Sequence, residues 1–424
     1  MEVGVHIADV SWYVKEGSGL DREALDRGTS VYLVDRVIPM LPEALSSDLC
    51  SLVPGQDRLT LSVVLDFDLA LELRERRIVR GVIRSDRRLS YEDAQDLLNG
   101  GDVKDPASVT VLSALRDLSA VATRVRKGRD QAGAVDFAIP EAKVILDEDG
   151  EPIEIRPRER LEAHRIIEDL MILANETVAT LGLAESLPLI YRIHEDPDPD
   201  RIESLRDLAG FFGYSLPAKD IRPADLSRLL EQAKGTPQEY LISSVTLRSM
   251  KRARYAVENV GHFGLASEAY AHFTSPIRRY PDLVVHRTLV RWLKGAQGRP
   301  TDGLKDVARH SSDMERRAQE AERESVEAKT IRYMQRHLGD EFEGTIGGVT
   351  SFGLFVVLDG VLAEGLVRLG SLVDDFYTYD ADAHAVTGRR TRKRYRLGDR
   401  ISVQVVRVDT ESRTIDLELA GDLA

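Results

Sequence analysis

The sequence predicts an α+β protein in which a mixed domain with many helices precedes a small antiparallel β-barrel. Segments with helical spacing of apolar residues alternate with short β-branched segments up to residue 338. After His337 the pattern changes to short runs of alternating apolar and polar residues punctuated by glycine. This change predicts a boundary near Leu338 to Glu341, with domains at residues 1–338 and 339–424.

The N-terminal elements are predicted to be mostly extended. The opening MEVGVHIADVSWYV is rich in apolar and β-branched residues, which favours a strand over residues 1–14. Residues 20–28 favour a helix, residues 29–42 an extended segment that stops at two prolines, and residues 46–53 a short turn or helix. Clear alternation predicts a strand pair over residues 59–68 and 70–85.

Helices dominate from Ser90 onward. SYEDAQDLLN has a serine N-cap and an acidic first turn, and residues 109–128 predict an amphipathic helix that stops at Gly128. Residues 135–144 are expected to be extended, residues 161–181 form the strongest helical pattern, and LPLIYRIH follows as a strand. Further helices are predicted over residues 201–212, 226–234, 239–253, 282–294 and 304–336.

The C-terminal segment has the pattern of a barrel. Five short apolar runs, EGTIGGVT, GLFVVL, AEGLVRL, RISVQVVRVD and RTIDLELA, lie within residues 341–419. Five strands in so short a segment fit a small antiparallel barrel such as an OB-fold.

The segment GHFGLASEAYAHFTSPIRRYPDLVVHR combines unusual residue choices. Thr274 and Ser275 before Pro276 predict a capped helix start, which would put Arg278 and Arg279 in its first turn. Cations are unfavourable there because the helix dipole is already positive. A helix N-terminus with two guanidinium groups is a suitable phosphate site, whereas the alternative is a pair of solvated surface arginines.

Composition limits the class of partner. The formal net charge is −13, which excludes a uniformly basic nucleic-acid coat protein but leaves room for a local basic channel. Basic residues cluster at 74–88, 248–254 and 389–396. Each cluster alone is typical of a solvated face, and the three together favour a polyanionic ligand.

Other features favour a soluble cytoplasmic protein without membrane contact. The sequence has no run of eighteen apolar residues and no N-terminal pattern typical of a signal peptide. Cys50 is the single cysteine, so a disulfide or a cysteine-based zinc site within the chain is excluded. Its leucine neighbours predict a buried small residue rather than a nucleophile.

Several motifs resemble the ribonuclease R and ribonuclease II (RNB) family of 3′→5′ exoribonucleases. The similarity covers essentially the whole chain and favours the ribonuclease R branch. Residues 341–419, with GGVTSFGLFV at 347–356, are similar to an S1 RNA-binding domain. The matching motifs in the first domain are VHIADVSWYV, LDREALDRGTSVYL, VIPMLPEALSSDLCSL, AHRIIEDLMILANE, LISSVTLRSMKRARY and ENVGHFGLASEAYAHFTSPIRRYPDLVVHR.

The resemblance implies hydrolytic release of nucleoside 5′-monophosphates from the 3′ end of single-stranded RNA, with Mg²⁺ as cofactor. Family members hold the metal with four aspartates just before the strand that VGVHIADV matches, and this chain begins at Met1 downstream of that position. The resemblance therefore implies an N-terminally truncated enzyme that is inactive alone. Alternatives are a catalytically dead RNA-binding protein and a subunit completed by another polypeptide that carries the aspartate motif.

The resemblance also assigns roles to individual residues. Arg278 matches the arginine that contacts the scissile phosphate, and Arg279 beside it is a further candidate RNA ligand. Tyr32 and Phe137 match aromatics that stack on the terminal nucleotides, and Tyr91 matches a tyrosine lining the narrow path.

Two acidic residues match positions that contact ribose. Asp169 lies where the family has glutamate, and Glu322 matches a second ribose contact. Without the resemblance, Asp169 and Glu322 would be interpreted as charged residues on helix surfaces. Tyr32 and Phe137 would be interpreted as core aromatics, and Tyr91 as an ordinary residue at a helix N-terminus.

Two further residue pairs have competing interpretations. His262 and His272 lie ten residues apart without helical spacing, which favours structural histidines over a metal pair. In the barrel, Phe352 and Phe355 are candidates for RNA contact or for the core, and S1 domains favour RNA contact for Phe352. Residues 389–396 would then contact the RNA backbone.

Overall fold

The computed structural model describes residues 1–101, 106–137, 141–236, 238–296, 303–380 and 383–421. A three-stranded antiparallel sheet in the order β1-β4-β5 forms its N-terminal part. Two-stranded sheets β2-β3, β6-β7 and β8-β9 complete the strands of the mixed domain. These strands are β1 (Glu2–Ala8), β2 (Val31–Tyr32), β3 (Val37–Ile38), β4 (Asp57–Phe67), β5 (Leu73–Arg84), β6 (Ala142–Leu146), β7 (Pro152–Pro157), β8 (Tyr191–Ile193) and β9 (Arg254–Ala256).

Helices surround this sheet. A π-helix spans Ala44–Leu49, and short 3₁₀ turns lie at Phe263–Leu265 and Gln335–His337. The α-helices are α1 (Val10–Tyr13), α2 (Gly19–Arg27), α3 (Tyr91–Leu98), α4 (Pro106–Ala132), α5 (Glu162–Ala184), α6 (Pro199–Phe211), α7 (Pro223–Ala233), α8 (Glu239–Ser249), α9 (Tyr280–Leu293) and α10 (Leu304–Met334).

Helix α5 lies at the centre of the mixed domain. Its apolar side packs on the inner face of β1 and β4, with Ile166, Leu170 and Val178 among the buried contacts. Burial of a side chain of this size stabilises the fold by roughly 1.5 to 3 kcal/mol, so this face holds the helix on the sheet. Helix α4 packs on another side of α5. Because α5 is covered by both the sheet and α4, its sequence is apolar along nearly its whole length.

The C-terminal strands close into a barrel in the order β10-β11-β12-β17-β16. These strands are β10 (Glu341–Val349), β11 (Gly353–Leu358), β12 (Glu364–Arg368), β16 (Arg400–Asp409) and β17 (Thr414–Leu419). The predicted α+β class and the predicted barrel strands are confirmed. The pairing of β12 with β17 is parallel, so the barrel is mixed rather than purely antiparallel. Alternation along a strand does not reveal the direction of its neighbour.

A second sheet is inserted between β12 and β16. It contains β13 (Tyr377–Asp380), β14 (Ala385–Gly388) and β15 (Arg394–Arg396), and it carries the basic segment 389–396. The barrel core also includes Ile331 and Met334 of α10 and Ile155 of β7. The barrel is therefore packed against the mixed domain through apolar side chains on both sides of the predicted boundary.

The structure corrects several predicted element ends. Helix α4 continues through Gly128 to Ala132, and the strand predicted for residues 1–14 ends at Ala8, where α1 follows. Of the extended segment predicted for 135–144, residues 138–140 lie outside the described part, and strand β6 begins at Ala142.

The start of α9 is also different from the prediction. The helix begins at Tyr280 with Arg279 at its N-cap and a proline in its first turn, and residues 276–278 form a separate turn. Arg278 and Arg279 therefore precede the helix instead of lying in its first turn.

Among the described residues, no helix combines the length and apolarity that crossing a membrane requires.

Candidate nucleic-acid interface

The turn before α9 is fixed by one buried carboxylate. Asp282, fully buried, accepts hydrogen bonds from the Ser275 backbone N–H (2.7 Å) and from two nitrogens of Arg279 (2.9 and 2.7 Å). Burial alone lowers the pKa of the Arg279 guanidinium, but the adjacent Asp282 raises it above its ordinary value. Arg279 is therefore occupied by a bidentate internal ion pair, a geometry that suits a positioning role and does not favour the predicted RNA contact.

Arg278 has a different environment. Its side chain is exposed, and its guanidinium carbon lies 6.0 Å from the ring centre of Tyr32. Its backbone carbonyl accepts hydrogen bonds from the Ser30 N–H and the Thr29 hydroxyl, both at 3.0 Å. Two donors thus hold the backbone at Arg278, and its exposed side chain lies beside an aromatic ring.

Helix α10 holds the Tyr32 segment from the other side. The Tyr32 N–H donates to Glu322 Oε1 at 2.8 Å, and the Val34 N–H donates to the Ser325 hydroxyl at 3.1 Å. Tyr32 itself is 45% exposed, so its ring is accessible. Arg278, Tyr32 and Glu322 are far apart in sequence, and the fold brings these three predicted site residues together.

Asp169 lies in a more closed position on α5. Its carboxylate is buried and accepts hydrogen bonds from Arg126 Nε (2.8 Å) and from Arg129 Nη2. Burial raises the pKa of Asp169, although both arginines act in the opposite direction. This pairing does not favour direct ribose contact, and it gives Asp169 the role of orienting two arginines.

The remaining aromatic residues of the mixed domain are placed differently from one another. Tyr91 begins α3, is exposed, and stacks on the His164 ring with a centroid distance of 4.1 Å. Phe137 is half-buried and packs on a cluster formed by α6, α7 and α8. Tyr91 therefore offers a free ring edge, whereas Phe137 is partly a core residue.

In the barrel, Phe352 is 55% exposed and Phe355 is half-buried. The two rings meet edge to face at 5.9 Å. Phe352 thus offers an accessible aromatic surface on the hairpin between β10 and β11, as stacking on a base requires. Basic residues 389–396 lie on the inserted sheet, where Arg390 and Lys393 already contact Asp374.

The histidines of the central segment are structural. His262 accepts a hydrogen bond from the Leu265 N–H at 3.2 Å, and His272 bonds the Tyr255 hydroxyl at 2.9 Å. Burial lowers the pKa of His262 to about 3 and lowers that of His272 well below its usual value. Both rings are therefore neutral at physiological pH and satisfied by protein groups. Cys50 is likewise buried, and burial raises the pKa of its thiol to about 11.

The described residues do not fit a Mg²⁺ site. Within them, no group of three or more His, Cys, Asp or Glu side chains could hold a metal ion. Asp9, the acidic residue that follows β1, is buried, bonds Arg80 at 2.6 Å and accepts a hydrogen bond from the Ser11 hydroxyl. The Asp9 carboxylate is therefore already engaged in an ion pair and a hydrogen bond.

Two family profiles match the chain. The profile of the RNB domain matches residues 1–295, and the profile of the S1 RNA binding domain matches residues 337–420. The chain belongs to the RNB family. The RNB match contains Arg278, Tyr32 and Asp169, and the S1 match contains the whole closed barrel.

Several RNB relatives are named ribonuclease R. The proteins of Aquifex aeolicus and Thermotoga maritima are 44% and 45% identical to this chain over 99% of its length, and the match covers 60% of each relative. The Escherichia coli protein is 38% identical over 98% of this chain and 53% of its own length. The chain therefore spans between half and two thirds of the relatives it matches.

Solved structures show the same fold. Mycoplasma genitalium RNase R in complex with ribose methylated single-stranded RNA has a TM-score of 0.91 and 30% identity, covering 99% of this chain and 66% of that one. Yeast Ssd1, described as a pseudonuclease, has a TM-score of 0.72 at 21% identity, covering 96% of this chain and 48% of that one, and shares the fold.

Sequence reasoning missed the arginines that surround the acidic residues of α5. Arg126 and Arg129 on α4 pair with Asp169, and Arg160 joins Asp136 and Glu168 at about 2.9 Å. The basic end of α4 could have indicated Arg129, because cations at a helix C-terminus commonly have a partner. No local pattern indicates Arg160, whose two partners lie on different segments.

Proposed function

We propose that this RNB-family chain takes part in the 3′→5′ hydrolytic removal of nucleoside 5′-monophosphates from RNA. The observation that carries the proposal is the exposed Arg278 beside the accessible Tyr32 ring. Glu322 accepts from the Tyr32 N–H, and Ser30 and Thr29 donate to the Arg278 carbonyl. A planar guanidinium suits a phosphate that gains charge during bond cleavage. Stacking on Tyr32 accepts any base, as non-specific degradation needs.

The proposed substrate is the 3′ end of single-stranded RNA. A structural relative is described in complex with ribose methylated single-stranded RNA, and we extend that ligand class to this chain. In this proposal Phe352 stacks on a base of the incoming strand while Tyr32 and Tyr91 contact its 3′-terminal part. Residues 1–338 and 339–424 act as the two units that hold it.

The proposed reaction uses Mg²⁺, which would activate water and neutralise the phosphate when bound. Because the described residues do not fit such a site, the proposal assigns to this chain the binding of the strand and of the scissile phosphate. The metal ligands are assigned to residues beyond those described or to a complementing polypeptide with an aspartate motif. The second candidate function is that of a catalytically inactive RNA-binding protein. It is favoured by the same observation, that the described residues do not fit a Mg²⁺ site.

A binding and degradation assay tests the proposal. With 3′-labelled single-stranded RNA and Mg²⁺, the chain should bind the strand, and Arg278→Ala should weaken binding by about tenfold. Arg309→Ala, which removes an exposed arginine of α10 that pairs with Asp306, should change affinity less than twofold, or by under about 0.5 kcal/mol. Equal effects of the two substitutions would contradict the proposed role of Arg278.

Mononucleotide release decides the remaining alternatives. Release by the chain alone that depends on Arg278 would contradict the assignment of the metal ligands to other residues. Release only after addition of an aspartate-bearing segment would support that assignment. Binding without release under both conditions would favour the inactive RNA-binding protein.

A further inference from the structure

A cavity of about 290 Å³ lies between the β4–β5 hairpin, the C-terminal half of α4 and the middle of α5. Its volume is close to the lower end of small-molecule sites, roughly 300 Å³. The residues to which the family resemblance assigned an RNA-binding role, Arg278 and Tyr32 among them, do not line this cavity.

Apolar and charged side chains both line the cavity. The apolar lining residues, together called the apolar wall, are Phe67, Leu71, Leu73, Val125, Leu173 and Leu265. The charged lining residues are Arg76, Arg124, Arg129, Glu72 and Glu176. Arg124 donates from Nε to Glu72 at 3.0 Å, so these two charges neutralise each other. The remaining charged groups are two arginines and one glutamate, which favours a small anion that carries an apolar part.

Arg129 has unused hydrogen-bonding capacity. Its Nη2 donates to Asp169, whereas Nε and Nη1 are buried and have no hydrogen-bond partner among the described residues. Leaving a buried donor unsatisfied costs roughly 1 to 3 kcal/mol, and more for charged groups. The Arg129 guanidinium also shares its partner Asp169 with Arg126, so a negative charge in the cavity would stabilise this buried cation.

Glu176 contributes a carboxyl group to the lining of the cavity. Burial raises the pKa of its carboxyl, while the Ser267 hydroxyl and the Arg129 and Arg76 guanidinium groups act in the opposite direction. When protonated, a carboxyl offers one donor and one acceptor side by side. That pair complements the amide-like edge of a nucleobase.

We propose that this cavity binds a nucleoside 5′-monophosphate, with its phosphate at Arg76 and Arg129 and its base against the apolar wall beside Glu176. The inference rests on the proposed function, because a nucleoside 5′-monophosphate is the product of that reaction. Arg129 also bonds Asp169, so it connects the cavity to α5. The cavity is then a product site, occupied by the nucleotide that has left the 3′ end.

Calorimetric titration of the full chain with AMP and UMP tests the site directly. Arg76→Glu should weaken mononucleotide binding by about tenfold or more, because it reverses one of the two phosphate-binding charges. Arg74→Glu is the matched control, because Arg74 is an exposed neighbour on the same strand that pairs with Asp68 and does not line the cavity. Ala132→Phe should also abolish binding by filling the cavity without a change of charge.

Equal losses in Arg76→Glu and Arg74→Glu would overturn the proposal. Binding of inorganic phosphate as tight as that of AMP would also overturn it, because the apolar wall would then contribute nothing. RNA affinity, measured on the same variants, separates this site from the proposed function. Mononucleotide binding that persists in a chain unable to bind RNA would refute only the proposed function.

Discussion

Asp282 determines which of two adjacent arginines is available to a ligand. Its carboxylate holds both the Ser275 N–H and the Arg279 guanidinium, so Arg279 is turned inward and Arg278 outward. The sequence RR presents two chemically identical groups. Their different roles follow from one buried acceptor, Asp282, three residues after Arg279. Stability measurements can test the ion pair between Asp282 and Arg279.

Asp282→Asn should lower the free energy of unfolding by about 3 to 5 kcal/mol, because it leaves the buried Arg279 charge without a partner. Asp306→Asn is the matched control. It also removes an aspartate paired with an arginine three residues away, but both side chains are exposed, and the expected change is below about 1 kcal/mol. Urea unfolding of both variants gives the comparison, and similar losses would contradict the structural role of Asp282.

His262 predicts a loss of stability in acid. Burial lowers its folded-state pKa to about 3 from the usual 6.5, so between these values the unfolded chain binds more protons than the folded one. The contribution of His262 to the free energy of unfolding is therefore fully present above pH 6.5 and decreases as the pH falls. At pH 5 it is lower by about 2 kcal/mol.

Urea unfolding of His262→Gln at pH 7.5 and pH 5 checks this value. The variant should lose about 2 kcal/mol less than the parent between the two pH values, whatever its stability at pH 7.5. His337→Gln, which changes a histidine outside the buried cluster, is the control. If His262→Gln lost as much unfolding free energy as the parent between pH 7.5 and pH 5, the His262 ring would not be neutral in the folded state.

At the scale of elements, the C-terminus of α4 is set by packing rather than by the first glycine in its sequence. Gly128 lies inside the helix, and the chain leaves the helix only at Gly133, where φ is +93°. A Cβ added at Gly133 would lie 2.5 Å from the Ala224 backbone at the start of α7. The helix therefore ends where α7 requires close approach.

Gly133→Ala should destabilise the protein by about 3 kcal/mol, combining backbone strain with the clash against α7. Gly100→Ala separates the two effects, because Gly100 has a similar φ of +91° but open space where the new Cβ would lie. Its expected cost is about 1 to 2 kcal/mol from strain alone. Thermal unfolding of both variants provides the measurement, and equal shifts in the melting temperature would argue against close packing of α4 on α7.

At the scale of the whole molecule, the barrel and the mixed domain share a core. Ile331, Met334 and Ile155 pack among the barrel residues, so the two units are held together although their sequence patterns differ. In the proposed function a strand meets Phe352 on the barrel and Arg278 on the mixed domain. These residues belong to different units, which predicts that their contributions to RNA binding are independent.

Phe352→Ala should weaken single-stranded RNA binding by about 1 to 3 kcal/mol, the usual value for loss of one aromatic stacking partner. The double variant with Arg278→Ala should show the sum of the single effects within about 0.5 kcal/mol. Fluorescence anisotropy with a labelled RNA measures all three. Phe376→Ala serves as control, since it removes another exposed ring, which lies just before the inserted sheet. Strong coupling between Phe352 and Arg278 would indicate that they contact the same nucleotide.

The sequence by itself determined the class, the helices and the barrel strands, because the spacing of apolar residues reports which face of an element is buried. It also determined the family, since motifs such as TSPIRRYPDLVVHR are contiguous in the chain.

Only the tertiary structure decided which charged side chains are available. Asp169 resembles an RNA ligand in sequence, yet it is paired with Arg126 and Arg129, which folding brings to it from α4. The partner of Arg279, Asp282, is only three residues away, and what the sequence does not show is that this carboxylate is buried. The cavity beside Arg129 likewise depends on a hairpin and two helices that meet only in the folded chain. Local periodicity cannot encode such pairs, because the electrostatic and packing partners of a residue are set by long-range contacts.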